Sequence, residues 1–141
     1  MEKLRLILLI DDDEGTNFYN KFLIQESKVA KNVAVAKNGK IALEFLTSTG
    51  KFAHNAPRYP RPDIIFLDIN MPVMDGFEFM EAYEKLPEHQ KGNMVVVMLT
   101  TSLDRKDLAR AKHFSDLKGF MNKPLTKNHL AAVLKKYFIK K

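Results

Sequence analysis

The sequence predicts an α/β fold in which five parallel strands alternate with five helices. Short apolar runs typical of buried strands recur along the chain, and each is followed by a segment whose apolar residues have helical spacing. Strict alternation of this kind is typical of a doubly wound parallel sheet with right-handed crossovers. The length of 141 residues suits one core, so we expect residues 1–141 to form a single domain.

The strand candidates are runs of aliphatic and β-branched residues. They are Leu4–Ile10, Asn32–Ala36, a run that ends at Asp68, Met94–Leu99 and a short segment around Leu117–Met121. Residues 50–62, before the third strand, contain three prolines and no apolar periodicity. We therefore predict a long surface loop there.

The helix candidates begin at residues that can cap a helix. These residues are Asp13, Asn38, Asp75, Asp104 and Thr126. Asp75 and Glu78 also have the spacing of a capping box. In the first helix the apolar side chains of Phe18, Tyr19, Phe22 and Leu23 recur at helical spacing.

Composition excludes several classes of protein. The 45% hydrophobic content argues against disorder, and the absence of cysteine excludes a disulfide scaffold and cysteine-based metal sites. No apolar stretch has the roughly 18–20 residues that a membrane helix needs. The N-terminus enters a strand within a few residues, which does not resemble a signal peptide, so the expected location is cytoplasmic.

The positive net charge of +6 is concentrated near the C-terminus. From Asp104 onward there are 11 Lys or Arg against 3 Asp. This segment is either a solvated helix face or, with Lys135 and Lys136, a docking face for an acidic protein surface. We do not expect nucleic-acid binding, because no DNA-binding motif is present.

Polar residues with complementary chemistry follow four of the predicted strands. Asp11, Asp12 and Asp13 follow the first strand, and Asp68 ends the third. Thr100 follows the fourth, and Lys123 with Pro124 follows the fifth. Because the carboxyl ends of parallel strands face one crevice, we expect these groups to meet there.

That set of groups suits phosphoryl transfer assisted by a divalent cation. Mg²⁺ takes oxygen ligands and is usually held by one or two carboxylates, so Asp11, Asp12 and Asp68 predict a Mg²⁺ site. If a phosphoryl group moved onto Asp68, the Lys123 ammonium and the Thr100 hydroxyl could bind its oxygens.

With these residues the chain resembles the receiver domain of two-component response regulators, of the stand-alone single-domain type. The resemblance runs from Leu4 to about Phe138 and is carried by the acid pair, Asp68 within Leu-Asp-Ile-Asn-Met-Pro, Asp75-Gly76, Thr100 and Lys123-Pro124. It implies a (βα)5 flavodoxin-like, or CheY-like, fold with strand order 2-1-3-4-5.

The resemblance also implies a role for each acidic residue. Asp68 would be the phosphoacceptor, taking a phosphoryl group from phosphohistidine to become 4-aspartylphosphate. Asp12 would ligate Mg²⁺ directly, Asp11 would act mainly through bound water, and the backbone carbonyl of Asn70 would be a further ligand. Asp13 is more consistent with a helix N-cap than with a metal ligand.

Four further roles follow from the same resemblance. Lys123 would pair with phosphoryl oxygens, and its bond to Pro124 would be cis. Thr100 would donate its hydroxyl to the phosphoryl group and move on activation. Phe120 occupies the place of the aromatic switch residue, although an aromatic at a strand end is equally consistent with core packing. Asn70 and Ser102 would influence the lifetime of the acyl phosphate.

The implied partners are a sensor histidine kinase or histidine phosphotransfer protein and a downstream protein that the sequence does not identify. The protein would not be an enzyme in the ordinary sense, because it assists only its own phosphorylation and dephosphorylation. We expect no membrane binding. Dimerisation through the last two helices is common in this family, and the sequence leaves it open.

Parts of the sequence are also consistent with two alternative functions. The segment from Asp11 to Thr16 resembles the start of a haloacid-dehalogenase phosphatase, with Asp11 as nucleophile and Asp13 as acid. Glu14 interrupts that motif, no acid follows Asp116 to complete a metal site, and Asp68 would have no role. The other alternative is a receiver-like binding domain that is never phosphorylated, in which the full set of acids, hydroxyl and lysine would be unnecessary.

Overall fold

The computed structural model describes residues 2–50, 60–91, 95–101 and 104–138. Eleven elements are assigned there. In chain order they are β1 (Leu4–Ile10), α1 (Glu14–Ser27), β2 (Ala30–Ala36), α2 (Gly39–Thr47), β3 (Ile64–Asp68), α3 (Gly76–Glu84), α4 (Glu88–Lys91), β4 (Val95–Thr100), α5 (Arg105–Ala111), β5 (Leu117–Asn122) and α6 (Lys127–Tyr137). None of the described helices is long and apolar enough to cross a membrane.

The five strands form one parallel sheet in the order β2-β1-β3-β4-β5. Both the fold class and the strand order are therefore confirmed. The alternation departs from expectation at one place, where the single turn α4 is added between α3 and β4. Part of the predicted loop 50–62, and Met94 at the predicted start of the fourth strand, lie outside the described residues.

The sheet is buried on both faces, as the continuous apolar runs predicted. Side chains of β1 alternate between two hydrophobic clusters: Leu6 and Leu8 join one, and Ile7 and Leu9 join the other. The first cluster is covered by α2, α3 and α5, and the second by α1 and α6. Helices on both faces hold the strand ends in a fixed relation to one another.

The predicted capping residues all cap their helices. Each accepts a hydrogen bond from a backbone N–H in the first turn, and Asp75 and Glu78 form the reciprocal capping box. The caps at Asp13 and Asp75 lie immediately after the loops that leave β1 and β3. They therefore determine where those loops end and the helices begin.

Of the four apolar residues at helical spacing in α1, Leu23 is buried but the three aromatic residues are exposed. Phe18, Tyr19 and Phe22 are 76%, 47% and 54% exposed. The face towards the sheet instead carries Asn17 and Asn20, together with the two aliphatic residues near the helix end. The amide of Asn17 donates a 2.8 Å hydrogen bond to the backbone oxygen of Asp11. That bond ties α1 to the end of β1.

Candidate functional site

The acidic residues of β1 and β3 come together at one edge of the sheet. β1 and β3 are hydrogen-bonded neighbours, and Ile10 lies opposite Leu67. The residues that follow these two, Asp11 and Asp68, therefore lie side by side. Asp11, Asp12 and Asp68 each offer a carboxylate oxygen, and these oxygens lie within 4.8 Å of one another. Asp11 and Asp68 are buried, whereas Asp12 is exposed.

Lys123, the residue that follows β5, binds two of these carboxylates. Its ammonium lies 2.7 Å from Asp11 Oδ2 and 2.9 Å from Asp68 Oδ1. The peptide bond between Lys123 and Pro124 is cis, as the resemblance implied. The backbone N–H of Lys123 also donates a 2.6 Å hydrogen bond to the backbone oxygen of Thr100.

Burial and charge act against each other at this cluster. Burial raises the pKa of the Asp68 carboxyl, the hydrogen bond from Lys123 opposes that effect, and the negative charge of Asp11 adds to it. Burial alone would lower the pKa of Lys123, but its hydrogen bonds to Asp11 and Asp68 outweigh burial and raise it. The single ammonium of Lys123 therefore offsets only part of the formal negative charge of the three carboxylates Asp11, Asp12 and Asp68.

The surplus negative charge and the oxygen ligands suit a hard divalent cation. Mg²⁺ prefers carboxylate and carbonyl oxygens and keeps several waters, which an exposed ligand such as Asp12 allows. Asp13 is not part of this cluster, because its carboxylate accepts hydrogen bonds from the hydroxyl and the backbone N–H of Thr16. Those bonds lower the pKa of Asp13, with the hydroxyl as the larger cause. Its predicted role as an N-cap is confirmed.

Thr100 and Phe120 occupy the neighbouring strands β4 and β5. Thr100 is the last residue of β4, is buried, and follows Leu99, which lies opposite Asp68 in the sheet register. Phe120 lies opposite Met98 and is half-buried against the first hydrophobic cluster. The register thus places Thr100 one residue beyond the position opposite Asp68, and Phe120 two residues before the position opposite Thr100 on β5.

Asn70 is exposed, two residues beyond Asp68. The loop that holds it is fixed where it meets α3, since the backbone N–H of Gly76 donates a 2.8 Å bond to the backbone oxygen of Ile69. Ser102 lies outside the described residues, so its predicted influence stays a prediction. The role of each predicted residue likewise stays a prediction at this point.

Two features beside the cluster were not predicted from the sequence. The direct bond between Lys123 and Asp11 joins groups that the sequence assigned separately to phosphoryl and metal binding. A cleft of about 450 Å³ opens between α1 and the β5–α6 loop and is lined by residues that include Tyr19, Asn20, Lys123 and Pro124. The helical spacing of Thr16, Tyr19 and Asn20 indicates that they share one face of α1. It does not indicate that this face borders the cleft.

The sequence model of the response regulator receiver domain matches residues 7–135. The chain belongs to this family. The receiver domain is 28% identical over 104 residues to the response regulator Rcp1 of Synechocystis sp., and the match covers 74% of this chain and 67% of Rcp1.

Solved structures of the same class superpose closely. A two-component response regulator from Cytophaga hutchinsonii gives a TM-score of 0.82 at 32% identity, covering 96% of this chain and 98% of that one. The bacteriophytochrome response regulator AtBRR gives 0.81 at 28% identity, covering 99% of this chain and 96% of that one. Receiver domains in general accept phosphoryl groups, and the acidic cluster of this one is compatible with that activity and with a divalent metal.

Proposed function

We propose that this receiver domain is a single-domain response regulator that accepts a phosphoryl group on Asp68 in the presence of Mg²⁺. The observation that carries the proposal is the contact of the Lys123 ammonium with both Asp11 and Asp68, at the point where their carboxylates lie within 4.8 Å of Asp12. Phosphoryl transfer needs positioning and charge stabilisation more than covalent machinery, and these residues supply both.

In the proposed reaction a carboxylate oxygen of Asp68 attacks the phosphorus of a phosphohistidine. A P–O bond forms while the P–N bond of the donor breaks, and the departing imidazole nitrogen takes up a proton. Asp11, Asp12 and Asp68 would hold Mg²⁺ together with the backbone carbonyl of Asn70. A bound Mg²⁺ would offset the negative charge of the phosphoryl oxygens.

Two residues of this chain would hold the transferred group. Lys123 already lies 2.9 Å from Asp68, so its ammonium can turn from the carboxylate to a phosphoryl oxygen without moving far. The Thr100 hydroxyl would bind another oxygen, and its movement would be followed by Phe120. Phosphorylation would then shift the population of two conformations of the surface that α5, β5 and α6 form.

The donor would be a sensor histidine kinase or a histidine phosphotransfer protein, and we propose that it docks on α1. Large apolar side chains exposed together usually mark an interaction surface. Phe18, Tyr19 and Phe22 are exposed together on α1, and Tyr19 also lines the cleft that reaches Lys123. A protein seated on these three residues, here called the α1 aromatic patch, would bring its own side chains to the edge of the acidic cluster.

The decisive experiment is phosphorylation by a small donor followed by intact mass measurement. Wild type incubated with Mg²⁺ and acetyl phosphate or phosphoramidate is expected to gain one phosphoryl group, and Asp68→Asn none. Asp63→Asn is the matched control, because Asp63 lies just before the opposite end of β3, where it pairs with Arg5, and it should label as wild type does. A phosphoryl group retained by Asp68→Asn would move the nucleophile to Asp11 or Asp12 and overturn the proposal.

The phosphatase alternative is not favoured by the geometry. In that mechanism Asp13 would have to act as the acid, but its carboxylate is used to cap α1. Turnover of p-nitrophenyl phosphate separates the two functions, since a receiver domain should show none. The proposal also places the protein in the cytoplasm, where phosphodonor kinases present their phosphohistidine.

A further inference from the structure

The turn between β1 and α1 is held by hydrogen bonds on both sides of Asp12. On one side, the side-chain amide of Asn17 donates a 2.8 Å hydrogen bond to the backbone oxygen of Asp11. On the other side, the backbone N–H of Asn17 donates a 3.0 Å hydrogen bond to the backbone oxygen of Asp13. One residue of α1 therefore binds both the residue before Asp12 and the residue after it.

The two residues that flank Asp12 are also bonded to each other. The backbone N–H of Asp13 donates a 3.0 Å hydrogen bond to Asp11 Oδ1. The other oxygen of that carboxylate, Oδ2, binds the ammonium of Lys123. Asp11, Asp13 and Asn17 are thus joined by three hydrogen bonds, here called the Asn17 ring, which bracket the backbone of Asp12.

Asp12 has no comparable support of its own. Its side chain is exposed, and within the described parts of the chain it forms no hydrogen bond or ion pair. One of its carboxylate oxygens nevertheless lies within 4.8 Å of oxygens of Asp11 and Asp68. Because like charges repel, attraction between these groups does not hold the Asp12 carboxylate there. Its position is therefore set by the backbone of the turn.

The amide of Asn17 has one orientation that serves the turn. The side chain is 5% exposed and lies on the face of α1 that packs against the sheet. Its Oδ1 atom is buried and has no hydrogen-bond partner among the described residues. Turning the amide over would place Oδ1 against the backbone oxygen of Asp11, where two acceptors cannot form a hydrogen bond. The bond to Asp11 therefore fixes which way the amide points.

Packing alone does not explain an asparagine at this position. Leu23 and Ile24 occupy the same buried face of α1. A leucine in place of Asn17 would have the same number of non-hydrogen side-chain atoms and would bury no polar group. Burying an amide costs free energy unless its groups are paired, and here the oxygen is not. The asparagine is thus explained by the bond that it donates rather than by the core.

We propose that Asn17 is a positioning residue for the divalent-cation site. Through the Asn17 ring it holds the turn in the conformation that places the Asp12 carboxylate beside those of Asp11 and Asp68. The inference rests on the proposed function, in which these three acids hold Mg²⁺. A metal binds more tightly to ligands that are already in place, because ligands that must first be ordered lose conformational entropy on binding.

The test is a calorimetric titration of the protein with MgCl₂ at constant pH and ionic strength. We expect Asn17→Leu to raise the Kd for Mg²⁺ roughly ten-fold or more, since loss of a residue that orients metal ligands typically weakens affinity about 10–100-fold. Asn17→Ala also lacks the amide and adds no bulk, so it should show the same loss. Agreement between the two separates the missing amide from a steric effect of leucine, and either one suffices if the other does not fold.

Leu23→Ala is the matched control for general destabilisation. Leu23 is also buried on α1, but it lies farther along the helix, in the hydrophobic cluster on that face of the sheet. The substitution should lower the thermal stability and leave the Kd for Mg²⁺ unchanged. The comparison shows whether a loss of stability by itself alters the affinity for the metal.

A second measurement needs no metal. In EDTA, the amide hydrogen of Asp13 should exchange faster in Asn17→Leu than in wild type, because the ring that holds it against Asp11 is opened. The amide of Leu8, in the middle of β1, should keep its protection. Hydrogen exchange followed by NMR measures both amides.

Three results would overturn the proposal. One is a wild-type Kd for Mg²⁺ in Asn17→Leu or Asn17→Ala, which would leave the proposed function intact. Another is an equal loss of affinity in Leu23→Ala. The last is unchanged exchange of the Asp13 amide in Asn17→Leu. If the wild type itself bound no Mg²⁺, the metal site of the proposed function would fail and this inference would fail with it.

Discussion

The backbone of Gly76 lies directly against the backbone oxygen of Asp68. A Cβ atom at Gly76 would overlap that oxygen and come within 3.0 Å of the Cα of Ile69. The neighbouring atoms are backbone, so they cannot turn aside as the end of a side chain could. The first residue of α3 can therefore lie this close to the last residue of β3 only because it is a glycine.

We expect Gly76→Ala to destabilise the protein by roughly 1–3 kcal/mol, the usual cost of overpacking. It should also slow labelling of Asp68, because the backbone of that residue must shift. Gly15→Ala is the matched control: it also lies in the first turn of a helix, and its nearest contact would be an ordinary 3.5 Å. Chemical denaturation measures the free energy of unfolding of both variants. Equal stability of the two variants would contradict the close approach.

Val73, in the loop between β3 and α3, has a φ of 69°. This left-handed conformation costs a residue with a Cβ about 1–2 kcal/mol, and a β-branched side chain fits it poorly. The Val73 side chain is 76% exposed, so little packing compensates. We expect Val73→Gly to raise the free energy of unfolding by about 1 kcal/mol. A decrease after substitution, measured by urea denaturation, would show that Val73 makes contacts worth more than its strain.

Lys123→Met should destabilise the metal-free protein. It leaves the buried carboxylates of Asp11 and Asp68 without their cation, and breaking a buried pair costs roughly 3–5 kcal/mol. We expect the lower end, because Asp68 can take up a proton instead. Lys127→Met, on the exposed side of α6, is the control.

The same variant should bind Mg²⁺ more tightly, since the ammonium no longer competes for the two carboxylates. The chain has no tryptophan, so calorimetric titration is the suitable measurement. Affinity for Mg²⁺ that is unchanged or weaker in Lys123→Met would show that the lysine does not compete with the metal.

Stability without metal should depend on pH through Asp68. Because burial raises its pKa in the folded state, the folded protein holds this proton more tightly than the unfolded chain does. The group does not destabilise the fold below the unfolded pKa of about 3.9. It becomes destabilising as the pH rises, and the effect is complete above the raised folded-state pKa.

Asp68→Asn should therefore be more stable than wild type at pH 7 in EDTA, and the difference should vanish towards pH 3. Thermal denaturation at several pH values measures it. Glu26→Gln, which removes an exposed acid from α1, is the control. A difference that grew towards acid pH would reverse the sign and refute the assignment.

Replacing the α1 aromatic patch should separate the two kinds of phosphodonor. The double variant Phe18→Ser with Phe22→Ser removes exposed apolar surface, so folding should be little affected. Labelling by acetyl phosphate should match wild type, whereas transfer from a phosphorylated kinase or phosphotransfer protein should fall at least ten-fold. The exposed pair Lys40→Ser on α2 with Lys85→Ser at the end of α3, on the opposite face of the sheet from α1, is the control. Equal transfer rates from the protein donor would remove α1 from the docking surface.

The sequence predicted what depends on local chemistry. Each strand run ends near an acid, hydroxyl or lysine, and a parallel sheet brings such ends to one edge, so the cluster of Asp11, Asp12 and Asp68 was predictable. Capping residues were predictable too, since a side chain of the right length satisfies the first N–H groups of a helix wherever the helix packs.

Features that depend on tertiary packing were not predictable. On α1, Phe18 and Phe22 repeat at helical spacing, but so do Asn20 and Ile24, and only contact with the sheet decides which set is buried. The single turn α4 is too short to show periodicity. The register shift of β5 opposite Val96 and Val97 is also not encoded by apolar alternation.

The backbone bond from Lys123 N–H to the Thr100 oxygen has a mechanical consequence. It links the last residue of β4 to the loop that leaves β5, so displacing either segment alone would break this bond. A signal that arrives as a new chemical group between them would be transmitted as a joint movement of both segments rather than as two independent rotamer changes.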